Sequence, residues 1–422
     1  METPGRLPKI IIIGAGFGGI RAIQELAKKQ ANILVLDRNN YHTFLPLLYQ
    51  VAAAELEPEA IVYPVRSILR NKPNIRFLMN KAVDVNLGKK RVRTTDHVFP
   101  YDYLILASGS SSFFFGIPGA AEHAFQLKTL EQAIELRNHI LFQYERALCE
   151  NDPEKRQQML TFVIVGGGPT GVEFTGALAE LIHGPLAKDF PMLDIPRDVR
   201  IILIEATDHL LSSLAERLQS YAARRLRQMG VEVLFQAAVS QVDEQAIFLM
   251  DGSKIPTETV IWTAGVRGET SPRTAELLRA YNGCIRVLPS LQIAGHPEVY
   301  VIGDLSHLEV NGKPLPMVAP VAVQQAEMAA RNIIRQMHNK NTLPFQYHDP
   351  GTMVTLGRNS AVVSLGGHAF MGFIAWVMWV GVHLFKLINF RNRLLVMINW
   401  AWDYLFFERV VRLIIPPPKK QS

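Results

Sequence analysis

The chain carries the same strand–turn–helix–strand unit twice, and this duplication restricts the possible folds more than any other feature. The first copy, KIIIIGAGFGGIRAIQELAKKQANILVLD, spans residues 9–37. Its run of isoleucines at 10–13 reads as a strand buried on both faces of a parallel sheet. The run breaks into Gly14, Ala15, Gly16, Phe17, Gly18 and Gly19, a G-x-G-x-x-G turn. A helical pattern follows over 20–29, and a second apolar strand at 33–36 ends on Asp37. Glycines allow the tight turn and let backbone approach a pyrophosphate at the helix N-terminus. An acid about 20 positions on can bond ribose hydroxyls. A glycine turn alone is a weak signal, but here strand, turn, helix, strand and acid arrive in register.

The second copy begins with a strand at 161–165 and the turn Gly166, Gly167, Gly168, Pro169, Thr170, Gly171. A helix is expected over 172–182 and a strand over 199–204, ending at Glu205. The acid comes late because HGPLAKDFPMLDIPR, residues 183–197, reads as an inserted, proline-bearing loop. Two such units predict an α/β fold with two Rossmann-like domains, each holding a dinucleotide or a nucleotide-like cofactor.

At 422 residues the chain is too long for a single core. The pattern predicts a first nucleotide domain at 1–125 that returns at 291–345, a charged helical connector at 126–160, a second nucleotide domain at 161–290 and a distinct C-terminal region at 346–422. Short strands are expected at 75–79, 83–87, 231–235 and 246–250. The stretch 101–110 reads as a strand ending in small residues, Ala107, Ser108 and Gly109 among them, beside which a ligand can pass. Another at 259–262 ends in Thr263, Ala264 and Gly265, and one at 299–302 ends in Gly303 and Asp304. The last places a carboxylate at the open end of a parallel sheet. A helix over 317–336, entered through Pro320, leaves unpaired N–H groups at its start.

Composition removes several function classes. The net charge of +6 is modest for this length and does not suggest a nucleic-acid partner. Cys149 and Cys284 form neither CxxC nor CxxxxC, which argues against a redox dithiol and a metal site and fits a reducing compartment. The first eight residues, METPGRLP, hold no apolar core of a cleavable signal.

The C-terminal region is greasy and basic. Residues 369–382 are uncharged and apolar, extending to Phe385, a length between an interfacial helix and a span of about 20 residues. Over 400–415, at about 100° per residue, Glu408, Arg409 and Arg412 share one stripe, with Trp402, Phe406, Val410 and Ile414 opposite. Asp403 is the one misfit on that face. An aromatic face with a basic stripe suits a helix lying in a membrane interface, and a partner subunit is the alternative cover. The expectation is peripheral (monotopic) attachment rather than a span.

With these marks in place, the chain resembles the type II NADH:quinone oxidoreductases, non-proton-pumping members of the two-dinucleotide-binding flavoproteins. The resemblance rests on Gly14 to Gly19 with Asp37, the stretch NYHTFLPLL at 40–48, residues 104–109, GGGPTGVE at 166–173, residues 263–265, 302–304 and 319–325, and YHDPGTMVTLGR at 347–358. It implies that the first unit holds FAD non-covalently. Gly14, Gly16 and Gly19, with Ala15, Phe17 and Gly18 of the same turn, would take the pyrophosphate, Asp37 with Arg38 the adenosine ribose, and Asp304 the ribityl–pyrophosphate side. Pro46, Ala82, Ala107, Ser108, Gly109, Ala322 and Val323 are further expected flavin contacts. NADH would lie on Gly166 to Gly171, Glu205, Ala264 and Gly265. A carboxylate at Glu205 repels a 2′-phosphate, so NADH should be preferred to NADPH. Glu173 matches the family glutamate near the nicotinamide–flavin contact; as a first-turn glutamate it could equally serve the helix dipole.

The family often reads A-Q-x-A-x-Q-Q where this chain reads Ala319, Pro320, Val321, Ala322, Val323, Gln324, Gln325. Proline replaces the first glutamine, so the expected quinone contacts are Pro46, Pro320, Gln324 and Gln325, with Glu173 and Gln324 as catalytic candidates. The implied reaction is hydride transfer from NADH to flavin, then two electrons to a membrane quinone. The implied setting is the reducing, cytoplasmic-type face of an energy-transducing membrane, against the lipid surface and as a homodimer. Three rivals share parts of this pattern: a sulfide:quinone oxidoreductase, which needs flavin-proximal cysteines, a flavoprotein reductase with a soluble acceptor, and an NADH-binding redox sensor.

Overall fold

The computed structural model describes residues 6–269, 277, 279–406, 408, 409 and 411–414. The chain forms two compact units, one from Met1–Thr43, Tyr63–Phe113 and Val266–Asp349, the other from Phe44–Val62, Phe114–Gly265 and Pro350–Ser422.

The first unit is built on a six-stranded sheet in the order Gln292–Ile293, His296–Val301, Tyr103–Leu106, Lys9–Ile13, Asn32–Asp37, Ile75–Met79. All neighbours are parallel except the first pair. Strand side chains alternate faces, so the isoleucine run divides between two layers. Ile10 and Ile12 pack with Ile20, Ile23 and Leu26 of the helix Phe17–Leu26 and with Ala326, Ala330 and Ile333 of the helix Ala319–Met337. Ile11 and Ile13 pack on the opposite side with Leu104, Val301, Val85 and Val92. The last two belong to the small antiparallel sheet Ala82–Asn86, Arg91–Thr94, Val98–Pro100.

The second unit repeats the plan with five parallel strands in the order Ala124–Gln126, Thr259–Trp262, Thr161–Val165, Arg200–Ile204, Val231–Leu234. Its nucleotide-side helix is Pro169–Leu181. Residues 183–197, expected as an open loop, are largely helical: a π-turn at Ile182–Leu186 and short helices at Ala187–Asp189 and Ile195–Asp198. Buried Pro185, Leu186 and Ile195 explain this, since the segment packs instead of hanging in solvent. The stretch expected to be a connector contains the 20-residue helix Leu130–Cys149, started by a Thr129/Gln132 capping box. Leu136, Ile140 and Tyr144 on it are fully buried, so it is part of this unit's core.

The segment 44–62, assigned by sequence to the first nucleotide domain, also belongs to this second unit. Its helix Leu48–Ala52 is buried at every position and packs on Leu130–Cys149 and Pro169–Leu181. The C-terminal region opens with an antiparallel sheet, Thr352–Thr355, Ala361–Leu365, His368–Gly372, before two helices, Phe373–Lys386 and Phe390–Phe406. The apolar run at 369–385 is therefore part strand, part helix. Among the described residues no helix is long and apolar enough to cross a membrane. The second helix stops at Phe406, short of the expected amphipathic stripe. Of that stripe, Arg409 is buried at 3% exposure instead of facing solvent; on the opposite face, Val410 lies outside the described residues.

Helix Pro169–Leu181 and the C-terminal sheet touch through a glycine. A Cβ on Gly176 would lie 2.8 Å from the Gly357 nitrogen and 3.2 Å from the Leu356 carbonyl carbon. Both obstacles are backbone and cannot rotate away. Gly176→Val is expected to cost about 2 kcal/mol or more by overpacking, read as a fall in the thermal unfolding midpoint; an unchanged midpoint would remove this contact from the fold's support.

Candidate functional site: two glycine turns and a buried acidic cavity

Both glycine turns are closed by the same device. Gly14 has φ of +104°, and a Cβ there would sit 2.2 Å from the Ala107 carbonyl oxygen. Gly166 has φ of +109° and faces Ala264 at 2.7 Å in the same sense. At the helix end of each turn, a Cβ on Gly19 or Gly171 would lie within about 2 Å of the carbonyl oxygen of Gly14 or Gly166. The acid at the end of the second strand then reaches back. Asp37 Oδ2 accepts from Ala15 N at 2.6 Å and Oδ1 from Asn39 N at 2.8 Å. Glu205 Oε2 accepts from Gly167 N at 2.7 Å and Oε1 from Thr207 N at 2.8 Å. Burial raises the Asp37 carboxyl, opposed first by these backbone N–H groups and then by Arg38 and His42.

In the first unit Gly14, Ala107 and the Gly303–Leu305 turn each follow the C-terminal end of a parallel strand. The helices Phe17–Leu26 and Ala319–Met337 start without a side-chain cap, so their first N–H groups are available to an anion. Gly16 is exposed, with nothing within 4 Å of a Cβ, and Ser108 Oγ is buried without a partner. An open cradle of backbone amides beside an orphaned hydroxyl fits a bound dinucleotide. Asp304 lies in the turn Gly303–Leu305 and accepts from Ser110 Oγ at 2.6 Å. Ala322 and Val323 lie in the first turns of Ala319–Met337, and Ala82 begins its antiparallel strand.

The expected quinone set does not assemble as one group. Gln325 is fully buried, and its Oε1 accepts from Gly303 N at 2.7 Å and Ser306 Oγ at 2.9 Å. Its Oε1 holds the Asp304 turn, while its Nε2 is buried without a hydrogen-bond partner. Gln324 spends its amide on the backbone of His348, donating to O at 2.8 Å and accepting from N at 3.0 Å. Pro320 occupies the first turn of its helix. Pro46 belongs to the other unit, in the short 3₁₀ turn Leu45–Leu47 that leads into Leu48–Ala52.

In the second unit, Gly168, Pro169 and Thr170 are exposed, and a Cβ on Gly168 would meet nothing within 4 Å. Helix Pro169–Leu181 has no side-chain cap, leaving its first amides open above Glu205. Thr263 Oγ1, next to Ala264 and Gly265, donates to Val165 O at 2.8 Å. One face of that helix delivers Glu173, Ala177 and Glu180 into a small pocket that is partly open to solvent. Its other walls are Tyr49, Gln50, Glu55, Thr355, Gly357, Arg358, the indoles Trp376, Trp379 and Trp400, and Asp403, Tyr404 and Val380. Trp379 and Trp400 lie with ring centroids 5.6 Å apart, and the Arg358 guanidinium sits 4.0 Å above the Tyr404 ring.

Polar groups line this cavity in a connected order. Trp400 Nε1 donates to Gln50 Oε1 at 3.0 Å, Gln50 Nε2 donates to Tyr49 Oη at 3.2 Å, and Tyr49 Oη lies 3.0 Å from Thr355 Oγ1. Thr355 N donates to Glu173 Oε1 at 3.3 Å. Burial pushes the Glu173 carboxyl up to about 8, opposed by this N–H and by the Trp379 indole, whose N–H completes no hydrogen bond of normal geometry. Burial thus favours the neutral acid at Glu173, which its reading as a helix-dipole partner does not provide. Sequence reasoning passed over Glu55, Glu180, Tyr49 and Thr355. The signal for this cluster was Asp403, an acid out of place on an apolar helix face, with Arg409 six residues on.

Burial likewise lifts Glu55 to about 8. Both carboxyls bind a proton in the native state at pH values where the unfolded chain has released it. Stability is therefore fully present below about pH 4.5, the ordinary value, and declines as pH rises toward 8. Glu173→Gln, which cannot ionise, is expected to flatten this decline by on the order of 2 kcal/mol between pH 5 and 8. Denaturant titrations across that range check it; an unchanged slope would show that Glu173 ionises freely.

Comparison with known proteins gives the frame for these sites. Residues 8–326 match the family described as pyridine nucleotide-disulphide oxidoreductase, and residues 350–409 match the NDH2 C-terminal domain. The chain is 36% identical to the type II NADH:quinone oxidoreductase Ndh of Mycobacterium tuberculosis, over 96% of this chain and 90% of that protein. It is 31% identical to the type II NADH:quinone oxidoreductase of Staphylococcus aureus, over 86% of this chain and 91% of that one. In fold it is similar to NDH2 of Plasmodium falciparum, solved in complex with NADH, with a TM-score of 0.89 at 21% identity over 97% of this chain and all of that one. A sulfide:quinone oxidoreductase from Aquifex aeolicus has a TM-score of 0.71 at 17% identity, covering 97% and 96%. Duplicated glycine turns, a C-terminal domain shared over residues 350–409, and identity along nearly the whole length converge: the chain belongs to the type II NADH:quinone oxidoreductases and is an enzyme of that family.

Proposed function

We propose that the first unit holds FAD without a covalent bond, that the second binds NADH, and that the acceptor is a membrane quinone whose ring enters the aromatic cavity. The net reaction takes NADH, quinone and one proton to NAD⁺ and quinol. The flavin, when bound, supplies the chemistry that splits a hydride's two electrons from its proton. The chain's own residues bind, orient and exclude water. Gly14, Gly16 and Gly19 bring backbone amides to the pyrophosphate, Asp37 offers its remaining lone pairs to a ribose, and Asp304 lies on the ribityl side. The uncapped start of Ala319–Met337 stabilises negative charge on the reduced ring.

For NADH, Gly166, Gly168 and Gly171 with the start of Pro169–Leu181 take the pyrophosphate, and Glu205 takes the adenosine ribose. The observation that carries the quinone reading is that this nucleotide-binding helix continues into the cavity and places Glu173 among tryptophans. A flat apolar ring is held by stacking, and a protonated Glu173 stands ready to donate to its oxygen. The helices around the cavity expose Phe373, Ile374, Phe385, Phe390, Trp402 and Leu405, an apolar and aromatic surface suited to a lipid interface. On this reading the chain sits on the NADH-containing side of the membrane, and the same surface accommodates a second copy as a homodimer.

The sulfide:quinone alternative fares worse. Cys284 is buried, its Sγ donates to Asp304 O at 3.2 Å, and burial pushes the thiol up to about 11, so little of it is thiolate at neutral pH.

Mixing with NADH under anaerobic conditions is expected to bleach the flavin absorbance, and a short-chain quinone to restore it at the turnover rate. Bleaching without recovery by quinone would overturn the acceptor assignment. Glu205→Ala is expected to shift the NADH-to-NADPH preference, as the ratio of kcat/KM values, by about tenfold toward NADPH. NADPH-induced thermal stabilisation of the variant gives a readout independent of turnover, and an unmoved ratio would dissociate Glu205 from the ribose.

A further inference from the structure

In each glycine turn the second residue is gripped by both of its backbone groups. In the first turn Ala15 N donates to Asp37 Oδ2 at 2.6 Å, and Ala15 O lies 2.9 Å from Nδ1 of His42. In the second, Gly167 N donates to Glu205 Oε2 at 2.7 Å, and Gly167 O accepts from Leu211 N at 2.9 Å. The amides are held by the same device, whereas the carbonyls are not: a backbone N–H serves one turn and an imidazole the other. A carbonyl oxygen only accepts, so the His42 ring carries its proton on Nδ1. Burial lowers the ring's proton affinity below its ordinary value, opposed by the Ala15 carbonyl and by Asp37. His42 Nε2 is buried and without a partner, as a neutral ring leaves it.

Holding that carbonyl aims a donor. The peptide unit is planar and trans, so the N–H of Gly16 points opposite to the Ala15 carbonyl. Gly16 caps the start of helix Phe17–Leu26, is exposed, and has nothing within 4 Å of a Cβ built on it. Its amide is among those a helix start offers to an anion. Asp37 fixes the preceding plane, Gly14–Ala15, and does not reach this one. A glycine tolerates both signs of φ, so the Ala15–Gly16 plane turns at small cost unless its carbonyl is tied. His42 itself has little freedom. It is 3% exposed, lies in the middle of the strand Tyr41–Thr43, and stands perpendicular to the Phe17 ring with centroids 5.1 Å apart.

Resting on the FAD reading above, we propose that His42 is a positioning residue for the flavin dinucleotide: its Nδ1–H ties the Ala15 carbonyl and so aims the Gly16 N–H at the pyrophosphate. His42 acts through the turn, and its effect falls on retention of the dinucleotide. The second turn needs no such side chain, because Leu211 ties Gly167 from the main chain. Leu211 does so at φ of +53°, in the left-handed region that leucine disfavours, so the chain bears local strain at that point. The first turn is tied without a strained residue, by a side chain 27 positions on. The two turns thus depend on chemically different clamps, and a substitution at position 42 loosens only the first.

The test follows release of FAD from the full-length, flavin-loaded protein, as recovery of flavin fluorescence after dilution. Asparagine carries its amide nitrogen where histidine carries Nδ1, and glutamine carries it where histidine carries Nε2. His42→Asn is therefore expected to release FAD within about twofold of the wild-type rate. His42→Gln and His42→Phe are expected to release it about tenfold faster, the scale of one lost hydrogen bond. A histidine that merely fills space would not separate asparagine from glutamine. Equal release from these two variants, a reversed order, or wild-type retention in both overturns the proposal, and the comparison decides it even where His42→Phe does not fold. Wild-type protein that binds no FAD would instead overturn the cofactor reading on which it rests.

Discussion

The bond from a strand-end carboxylate back to a glycine turn is the constraint from which both nucleotide sites follow. Asp37 to Ala15 and Glu205 to Gly167 are the same contact made twice, each seconded by a bond to the residue two positions on. The turn must have positive φ at its first glycine and no side chain where the helix crosses it. Once those conditions hold, the acid cannot wander, the first amides of the helix face open space, and an anion finds donors already aligned. The carboxylate proposed to meet a ribose thus also holds the loop proposed to meet the phosphates.

The second turn does more than the first. Its helix runs from an exposed start at Pro169 to a buried acid at Glu173 and on to Glu180, which bonds the Arg358 N–H and Arg409. The glycine turn proposed for NADH and the carboxyl of Glu173 are therefore set on one rigid element, and their spacing is fixed by helical rise and not by loops. The close contact of Gly176 with Gly357 brings the C-terminal sheet onto the same helix, which is how Thr355 comes to hold Glu173.

Much of the nucleotide machinery was legible in order along the chain because it is local. Isoleucine runs, glycine spacing and strand-end acids lie within about forty residues of each other, and periodicity reads them directly. The cavity was not legible, since its walls come from residues 49–55, 173–180, 355–358, 376–380 and 400–404, and no pattern in one segment announces the others. Where local reading misjudged, burial was the cause. Arg409 looked like part of a solvent stripe, whereas Glu55, Glu180 and Asp403 lie around its guanidinium. The apolar run near 369–385 was read by length alone, although the glycine at 372, with φ of +74°, turns strand into helix.

Arg409 has a topological consequence. The second unit is assembled from three separated stretches, and this one side chain reaches a group in each: Ala53 and Glu55 in the first, Ala177 and Glu180 in the second, Asp403 in the third. It closes two long loops at once, and loop closure is slow while the chain remains open. During synthesis the first glycine turn and the acid that bonds it lie within forty residues of each other, whereas Arg409 emerges only after more than four hundred. The turn is thus closed by contacts local in sequence, while the acid cluster is closed only by nearly the whole chain.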